Sequence, residues 1–367
     1  MHIVHCLTHS IHGGGQAVPY LLVKSFLQYY PHVQHTVMLP VGGIYGERFR
    51  SLGVSVVEFP FNRINPFDFF RIRSVLKKVQ PDIIHTHGRG AGAYVRTISK
   101  NTLPVKRIHT HHGFHLPENF PNNVFFRWSE KYFLQNTDRV VSVSGSEAEI
   151  IARTNPEVLP KITLIPNIVD RQAVISGSKA NSEYSSLMDK MKGKFIVVMI
   201  GRDDPVKNYP LAFSAAARIL KTNDAVAFVF IGIQRQYHLL SELLLSYPER
   251  VVVIPSCANP LPLLAKSSVL LLTSKREAGA PLVMMEAACL GIPTIGVRVR
   301  GLYDSITNGQ NGLCVDSTEE AISDAILHCA NDVNLLKQLS NGAGMFAHSF
   351  DVARWCEQYY RLYNELL

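Results

Sequence analysis

No uninterrupted apolar run in this chain of 367 residues reaches the roughly 18 that a helix needs to cross a bilayer. The opening MHIVHCLTHSIHGGGQ lacks both a basic start and a long apolar stretch, so it is expected to lead straight into a strand rather than to act as a signal peptide. Six cysteines (Cys6, Cys257, Cys289, Cys314, Cys329 and Cys356) are scattered without a C-x-x-C pair. That spacing argues against a disulfide framework or a structural zinc and suits a reducing, cytoplasmic setting. There is no G-x-G-x-x-G, which removes the fingerprint of a dinucleotide oxidoreductase, and no H-E-x-x-H, which removes a helical zinc motif. What is present is a globular composition, 47% apolar and 18% charged, long enough for two cores of about 150–200 residues each.

Charge is unevenly spread. Residues 1–170 hold 18 Lys/Arg against 11 Asp/Glu, and the remainder 19 against 18, so the first half carries nearly all of the net charge of +8. Such a face could meet nucleic acid, anionic lipid or a phosphorylated substrate, or could simply be solvated. A nucleic-acid groove would need that charge to continue across the second half, and its near neutrality disfavours one.

Short runs rich in Val and Ile alternate with helix-length segments. HIVHCL, HTVMLP, VSVVEF, DIIHTH, KRIHTH, RVVSVS and ITLIPN read as buried strands in the first half, and KFIVVMIG, AVAFVFIG, RVVVIP, SVLLLTS and PTIGVR in the second. Continuous apolar runs predict parallel strands covered on both faces, and the helical segments supply right-handed crossovers. The fold class expected is α/β, with two tandem Rossmann-like doubly wound domains facing across a cleft. The break is expected at the Ser/Lys-rich segment 171–193, and the closing FDVARWCEQYYRLYNELL reads as a packed helix.

Ligands of doubly wound sheets bind beyond the carboxyl ends of the strands, and four motifs stand there. In SIHGGGQAV (10–18), consecutive glycines let backbone approach a ligand, or make a tight turn. In GRDDPVKNYP (201–210), Arg202 and Lys207 could grip a diphosphate, or pair with Asp203 and Asp204. In TSKREAGAPLVMMEAACLGIPTIG (273–296), Gly279, Ala280 and Pro281 form a close-approach loop before a helix. Glu286 lies about one and a half turns into that helix, placed to accept from a ribose diol, and Glu277 at the strand exit could take sugar hydroxyls. The fourth is a histidine series: His85 and His87, then His109, His111, His112 and His115. No Asp or Glu completes either cluster, and alternate histidines on a strand are expected to project to opposite faces, so no metal is expected. Hydrogen-bond donors lining a cleft, with some core histidines, are the expectation.

Taken in order, HGGGQ, PDIIHTH, HTHHG, VSVS, LIPNIVD, GRDDPVK, EAGAPLVMMEA, GIPTIG, NGQNGLCV and the closing aromatic helix resemble the retaining glycosyltransferases of family 4, over essentially the whole chain. The resemblance implies the glycosyltransferase-B fold. It implies a first domain over 1–176 on the acceptor side, with helix 351–367 packing back on it, and a donor-binding domain over 190–350. It implies Arg202 and Lys207 on the donor diphosphate, Glu286 on the nucleotide ribose, and Glu277 near the transferred sugar. Backbone from Gly279 through Ala280, Pro281 and Leu282 to Val283 would contact phosphate and sugar, His112 would reach the donor sugar, and Gly14 and Gly15 would close over the diphosphate. Two departures stand out. Eight residues separate the glutamates, one more than is usual, so either Ala278 takes the first position or, as is preferred because loops accept single insertions readily, Glu277 keeps it with a longer loop. Lys207 is followed by Asn208 where the family usually has Gly.

The function implied is transfer of a sugar from a nucleoside diphosphate sugar to a hydroxyl of a lipid-linked saccharide acceptor, with retention, in the assembly of a cell-surface polysaccharide such as lipopolysaccharide or capsule. No cofactor is expected, and no D-x-D motif is present to hold a metal. NPFDFFRIRSVLKK (65–78) and NVFFRWSEKYF (123–133) mix aromatic and basic residues. They are expected to give peripheral contact with the anionic inner face of the cytoplasmic membrane, unless those aromatics are core. A nucleoside diphosphate sugar 2-epimerase and a non-catalytic nucleotide- or nucleic-acid-binding protein are the rival readings.

Overall fold

The structure is a computed structural model that describes all residues except 12, 64, 115, 117–119 and 182. It divides into two compact units, residues 1–168 with 351–367, and residues 169–350. The Ser/Lys-rich segment lies after this boundary. Its helices Arg171–Ser178 and Ser185–Lys190 pack on the second unit, beside the helix Leu261–Leu264, because Val174 and Met188 are apolar anchors there.

The first unit carries a seven-stranded parallel sheet in the order β3-β2-β1-β4-β5-β6-β7. Its strands are β1 (His2–Leu7), β2 (Gln34–Leu39), β3 (Ser55–Glu58), β4 (Ile83–His87), β5 (Lys106–Thr110), β6 (Arg139–Ser142) and β7 (Ile162–Leu164). The second unit repeats the pattern as β10-β9-β8-β11-β12-β13, all parallel. Here the strands are β8 (Phe195–Ile200), β9 (Val226–Ile231), β10 (Val251–Ile254), β11 (Val269–Leu272), β12 (Thr294–Val297) and β13 (Gly312–Val315). Each order reverses direction at its first strand, which is where such folds place ligands. Strands β8, β9 and β11 are buried almost end to end, as strands covered by helices on both faces must be.

The closing helix Val352–Asn364 belongs to the first unit. Trp355, Cys356, Tyr359, Leu362 and Tyr363 recur at spacings of three and four, and all are buried. Asp351 caps it by accepting from the Arg354 N–H at 3.0 Å, Trp355 Nε1 donates to the Pro166 carbonyl at 2.9 Å, and Tyr360 stacks on Tyr30 with ring centroids 3.9 Å apart. No helix among the described residues is long and apolar enough to cross a membrane.

Candidate functional site

In the second unit, the loops leaving β8 and β11 are tied to each other. Tyr209 Oη donates toward the carbonyls of Gly201 and Ile231, both at 2.9 Å, and Thr273 Oγ1 donates to the Lys207 carbonyl at 2.9 Å. The Lys275 N–H meets the Val206 carbonyl at 2.8 Å. Gly232, at φ 100°, closes against this turn so tightly that a Cβ would lie 1.9 Å from the Gly201 carbonyl oxygen. This frame brings Lys207 Nζ to 2.6 Å from Glu277 Oε1, with the side chains only 21% and 14% exposed. Lys207 therefore does not pair with Asp203 or Asp204. Asp203 is occupied elsewhere, accepting from Tyr237 Oη at 2.6 Å and from the N–H groups of Arg235 and Gln234. Arg202 is 64% exposed and reaches Asp204 only at 3.9 Å, which leaves its fork open to an anion.

Asn208 stands at φ 53°, ψ 47°, a left-handed conformation that glycine adopts freely and that asparagine tolerates best among other residues. The substitution of Asn for the family's Gly thus preserves the turn. The loop Glu277–Gly279 rests on Gly301, whose positive φ of 84° lets a bare Cα face the Glu277 carbonyl and the Gly279 N–H. Ala280 and Pro281 follow, and Leu282 and Val283 open the helix Leu282–Cys289. Pro281 occupies the cap position, no side chain caps the helix, and no acidic residue stands in its first turn. Glu286 sits further along, half-buried, with no hydrogen-bond partner among the described residues. Burial pushes its carboxyl up to about 7. A half-buried carboxylate without a protein donor keeps its acceptor lone pairs open to a ligand that brings hydroxyls.

In the first unit, His112 follows β5 at φ 53°, another left-handed non-glycine position. The N–H groups of Gly113 and Phe114 both donate to Glu147 Oε1 at 2.9 Å, and Val143 N–H donates to Glu147 Oε2 at 2.9 Å. Glu147 is buried in the first turn of the helix Gly145–Thr154, whose cap Ser144 accepts from the Glu147 N–H. It was not among the residues singled out from the sequence, although Ser144-Gly145-Ser146-Glu147 has the spacing of a capping box. Here its carboxylate anchors the His112 loop instead of closing back on the cap.

Gly14 and Gly15 form the first turn of the helix Gly14–Tyr29 rather than a loop. Gly13 accepts from the N–H groups of Gln16 and Ala17, which winds the two glycines into helix. Nothing lies within 4 Å of where a Cβ on Gly15 would stand. His12 of the same motif, and His115, lie outside the described residues.

The histidines divide by strand parity. Residues two apart share a face, so His85 and His87 point together, contrary to the expectation of opposite faces. Parallel register adds His5 of β1 and His35 of β2 to that face. His109 and His111 occupy the other. All six are buried, and burial holds each imidazole well below the usual range. His5, His85 and His87 bring ring nitrogens within 4.8 Å of one another, the single group of metal-ligand type among the described residues. His85 is already engaged, with Nδ1 at 2.8 Å from Tyr363 Oη and Nε2 at 2.8 Å from Thr110 Oγ1.

In the second unit, then, polar side chains gather beyond the carboxyl ends of the strands, while in the first most of the histidines lie within the strands and His112 just past one. Solved structures show the same double fold. The Anabaena protein Alr3699/HepE, crystallised in complex with UDP-glucose, matches at a TM-score of 0.81 with 17% identity over the whole of both chains. A glycosyltransferase from Rickettsia africae matches at 0.80 with 19% identity, over 100% of this chain and 98% of that one. These likenesses define the class as glycosyltransferase-B. The family model for Glycosyltransferase Family 4 matches residues 22–173 and that for Glycosyl transferases group 1 matches 183–344, so the chain belongs to the family 4 glycosyltransferases. Its curated relatives include the Escherichia coli UDP-Gal:alpha-D-GlcNAc-diphosphoundecaprenol alpha-1,3-galactosyltransferase, 23% identical over 80% of this chain and 78% of that protein. Another is the N-acetyl-alpha-D-glucosaminyl L-malate synthase of Bacillus anthracis, 24% identical over 86% and 83%.

Proposed function

We propose that this glycosyltransferase is retaining and metal-independent, and moves a hexose from a nucleoside diphosphate sugar to a hydroxyl of a lipid-linked saccharide during assembly of a cell-surface polysaccharide. The observation that carries the reading is the Lys207–Glu277 pair beside the open guanidinium of Arg202, at the carboxyl edge of the second sheet. Breaking the anomeric C–O bond builds negative charge on the departing diphosphate. Lys207, Arg202 and the uncapped helix start behind Gly279–Val283 supply fixed positive charge and donors where that charge develops, and no cofactor is required.

Glu277 holds Lys207 in place before the donor arrives and then faces the sugar hydroxyls. Glu286 accepts from the ribose diol, which supplies the donors that the free protein lacks. His112 meets the donor sugar, and Gly14 and Gly15 give backbone room for the diphosphate. Retention follows when the acceptor attacks from the side on which the diphosphate leaves, its proton passing to the leaving phosphate.

A lipid-linked acceptor is supported by the name of the Escherichia coli relative and by two helices. On Pro66–Val79, Ile72 and Leu76 are buried while Phe67 is 81% exposed and Phe70 nearly as open, among exposed Arg71, Arg73, Lys77 and Lys78. On Phe120–Gln135, Phe125 and Trp128 are exposed beside Arg127 and Lys131. Both helices flank the helix Arg89–Arg96. Aromatic and basic side chains on one side of a sheet suit the anionic inner face of the cytoplasmic membrane.

The test is a thermal-shift and donor-hydrolysis screen across UDP-, GDP- and ADP-sugars, with and without chelator. One donor class should stabilise the protein and be turned over in chelator. Stabilisation by none, or activity restored only by manganese, would refute the reading. Flotation with anionic vesicles at low salt tests the membrane face: protein that stays with the unbound fraction removes it.

A further inference from the structure

Four imidazoles of the first unit stand in series. His112 Nε2 lies 3.1 Å from His87 Nδ1, His87 Nε2 lies 3.3 Å from His5 Nδ1, and His5 Nε2 lies 3.1 Å from His35 Nδ1. Every link joins an Nε2 to an Nδ1. A neutral imidazole has one N–H and one lone pair. A neutral row therefore has two orderings without a clash: all rings Nδ1–H, or all rings Nε2–H. Burial depresses all four rings, His35 and His112 to about 4 and His5 and His87 well below the usual range, so the row is neutral at pH 7.

The blind end decides between the orderings. His35 Nε2 is buried and meets no hydrogen-bond partner among the described residues. The Nε2–H ordering would strand a donor there, whereas the Nδ1–H ordering leaves only a bare lone pair. Stranded buried N–H groups are the rarer and costlier of the two. On the opposite face of the sheet a shorter row ends in the same way. His109 Nδ1 lies 2.8 Å from Thr86 Oγ1, whose hydroxyl can donate to the Ile108 carbonyl at 3.2 Å. His109 Nε2 lies 3.1 Å from His111 Nδ1, and His111 Nε2 is again buried without a partner.

We infer that His35, His5 and His87 are positioning residues that fix His112 as its Nδ1–H tautomer, so that it presents a hydrogen-bond donor, and no acceptor, to a hydroxyl or carbonyl oxygen beyond β5. His112 Nδ1 has no partner among the described residues and stands at the partly exposed end of the row. The row has no exit at His35, so it sets orientation and does not conduct protons through the unit.

Long-range proton–nitrogen correlation spectra of the full chain labelled with 15N-histidine, at pH 7, read the tautomer of each ring, and His112→Asn identifies the His112 signal. The expected result is Nδ1–H at His112, against the Nε2–H form that dominates free imidazole in water. Nε2–H at His112 overturns the inference. So does stoichiometric zinc in the same sample, since a cation on His5, His85 and His87 would consume the lone pairs that the row needs. In His87→Leu the His112 signal should revert toward Nε2–H, and in His87→Asn, whose amide N–H stands near the lost Nδ1–H, it should return to Nδ1–H. An unchanged His112 signal in His87→Leu overturns the role of the row. The activity arm rests on the proposal that His112 meets the donor sugar. With the sugar nucleotide that the screen selects, kcat should fall about tenfold in His87→Leu with KM unchanged, and recover in His87→Asn. Spectra as expected with unaltered kcat would uphold the row and instead sink the assignment of His112 to the sugar.

Discussion

The two units build the same kind of parallel sheet around different interiors. The first buries Arg96, Arg107, Glu130 and Glu147 with six histidines. Arg96 lies 2.6 Å from Glu130 and its guanidinium covers the Phe133 ring, while Arg107 donates to the carbonyls of Ile98 and Leu103. In the second unit no charged side chain is fully buried among the described residues, and the core is apolar from Met188 through Leu339. Its charged groups sit instead at the strand ends. A doubly wound sheet therefore tolerates a polar interior where each group finds a partner, and the two interiors should answer to pH in opposite directions.

The largest effect follows from that contrast. In the first unit His5, His35, His85, His87, His109, His111 and His112 all have depressed folded-state values. The unfolded chain takes up these protons near pH 6.5, whereas burial makes the folded unit resist them to lower pH. Their contribution is thus complete above about pH 6.5 and is lost as pH falls, at about 1.4 kcal/mol per ring per pH unit. Because a domain is usually stable by only about 5–15 kcal/mol, several such rings together weigh heavily on this unit at low pH. Hydrogen exchange at pH 5 against pH 7.5 should show residues 1–168 losing protection while 169–350 keep theirs. Equal loss in both units would break the comparison.

Next in size is the strand-end cluster. On the proposed reading, Lys207→Ala should lower kcat about 10²- to 10³-fold, because it would remove a donor to the leaving diphosphate and leave Glu277 as an unpaired charge facing it. Adding Glu277→Gln should recover part of that loss, whereas Arg202→Ala, at an exposed position, should cost about tenfold. If the double variant is no better than Lys207→Ala, the pair does not hold the cation for the donor.

Glu286 gives the second unit its own pH response. Its folded-state value is raised to about 7 by burial, so the stability it permits is full below about pH 4.5 and falls as pH rises through 7. Glu286→Gln should leave stability at pH 5 unchanged and raise it by about 2 kcal/mol at pH 8, while weakening the stabilisation by donor. Parallel melting curves across that range would show that the carboxylate has a partner in solution.

Much of this was legible before any coordinates. Twelve strands stood out as apolar runs; β13, only GLCV between Asn/Gly turns, did not, although NGQNGLCV was marked as a landmark. Arg202, Lys207, Glu277 and Glu286 were singled out by motif. Their pairing was not, because Lys207 and Glu277 are 70 residues apart and meet only through the β8–β11 crossing. His5 shares its strand run with His2 and His35 sits alone in its own, and only parallel register brings them to His87. Local pattern reports what a residue can do, and sheet topology decides with which partner it does it.

The smallest expected effect probes the one turn where this chain departs from its family. Asn208 holds a left-handed conformation between Lys207 and the helix Tyr209–Leu220. Asn208→Ala should cost about 1 kcal/mol, since a Cβ without a compensating polar group is disfavoured there, and should displace Lys207 enough to lower kcat severalfold. Asn208→Gly should keep both stability and kcat close to the starting values, because glycine adopts the same angles freely while adding backbone entropy to the unfolded chain. Chemical denaturation of the three proteins checks the order. If alanine proves as stable as asparagine, the turn relaxes out of the left-handed region, and the placement of Lys207 depends on Glu277 and the Thr273 and Lys275 ties instead.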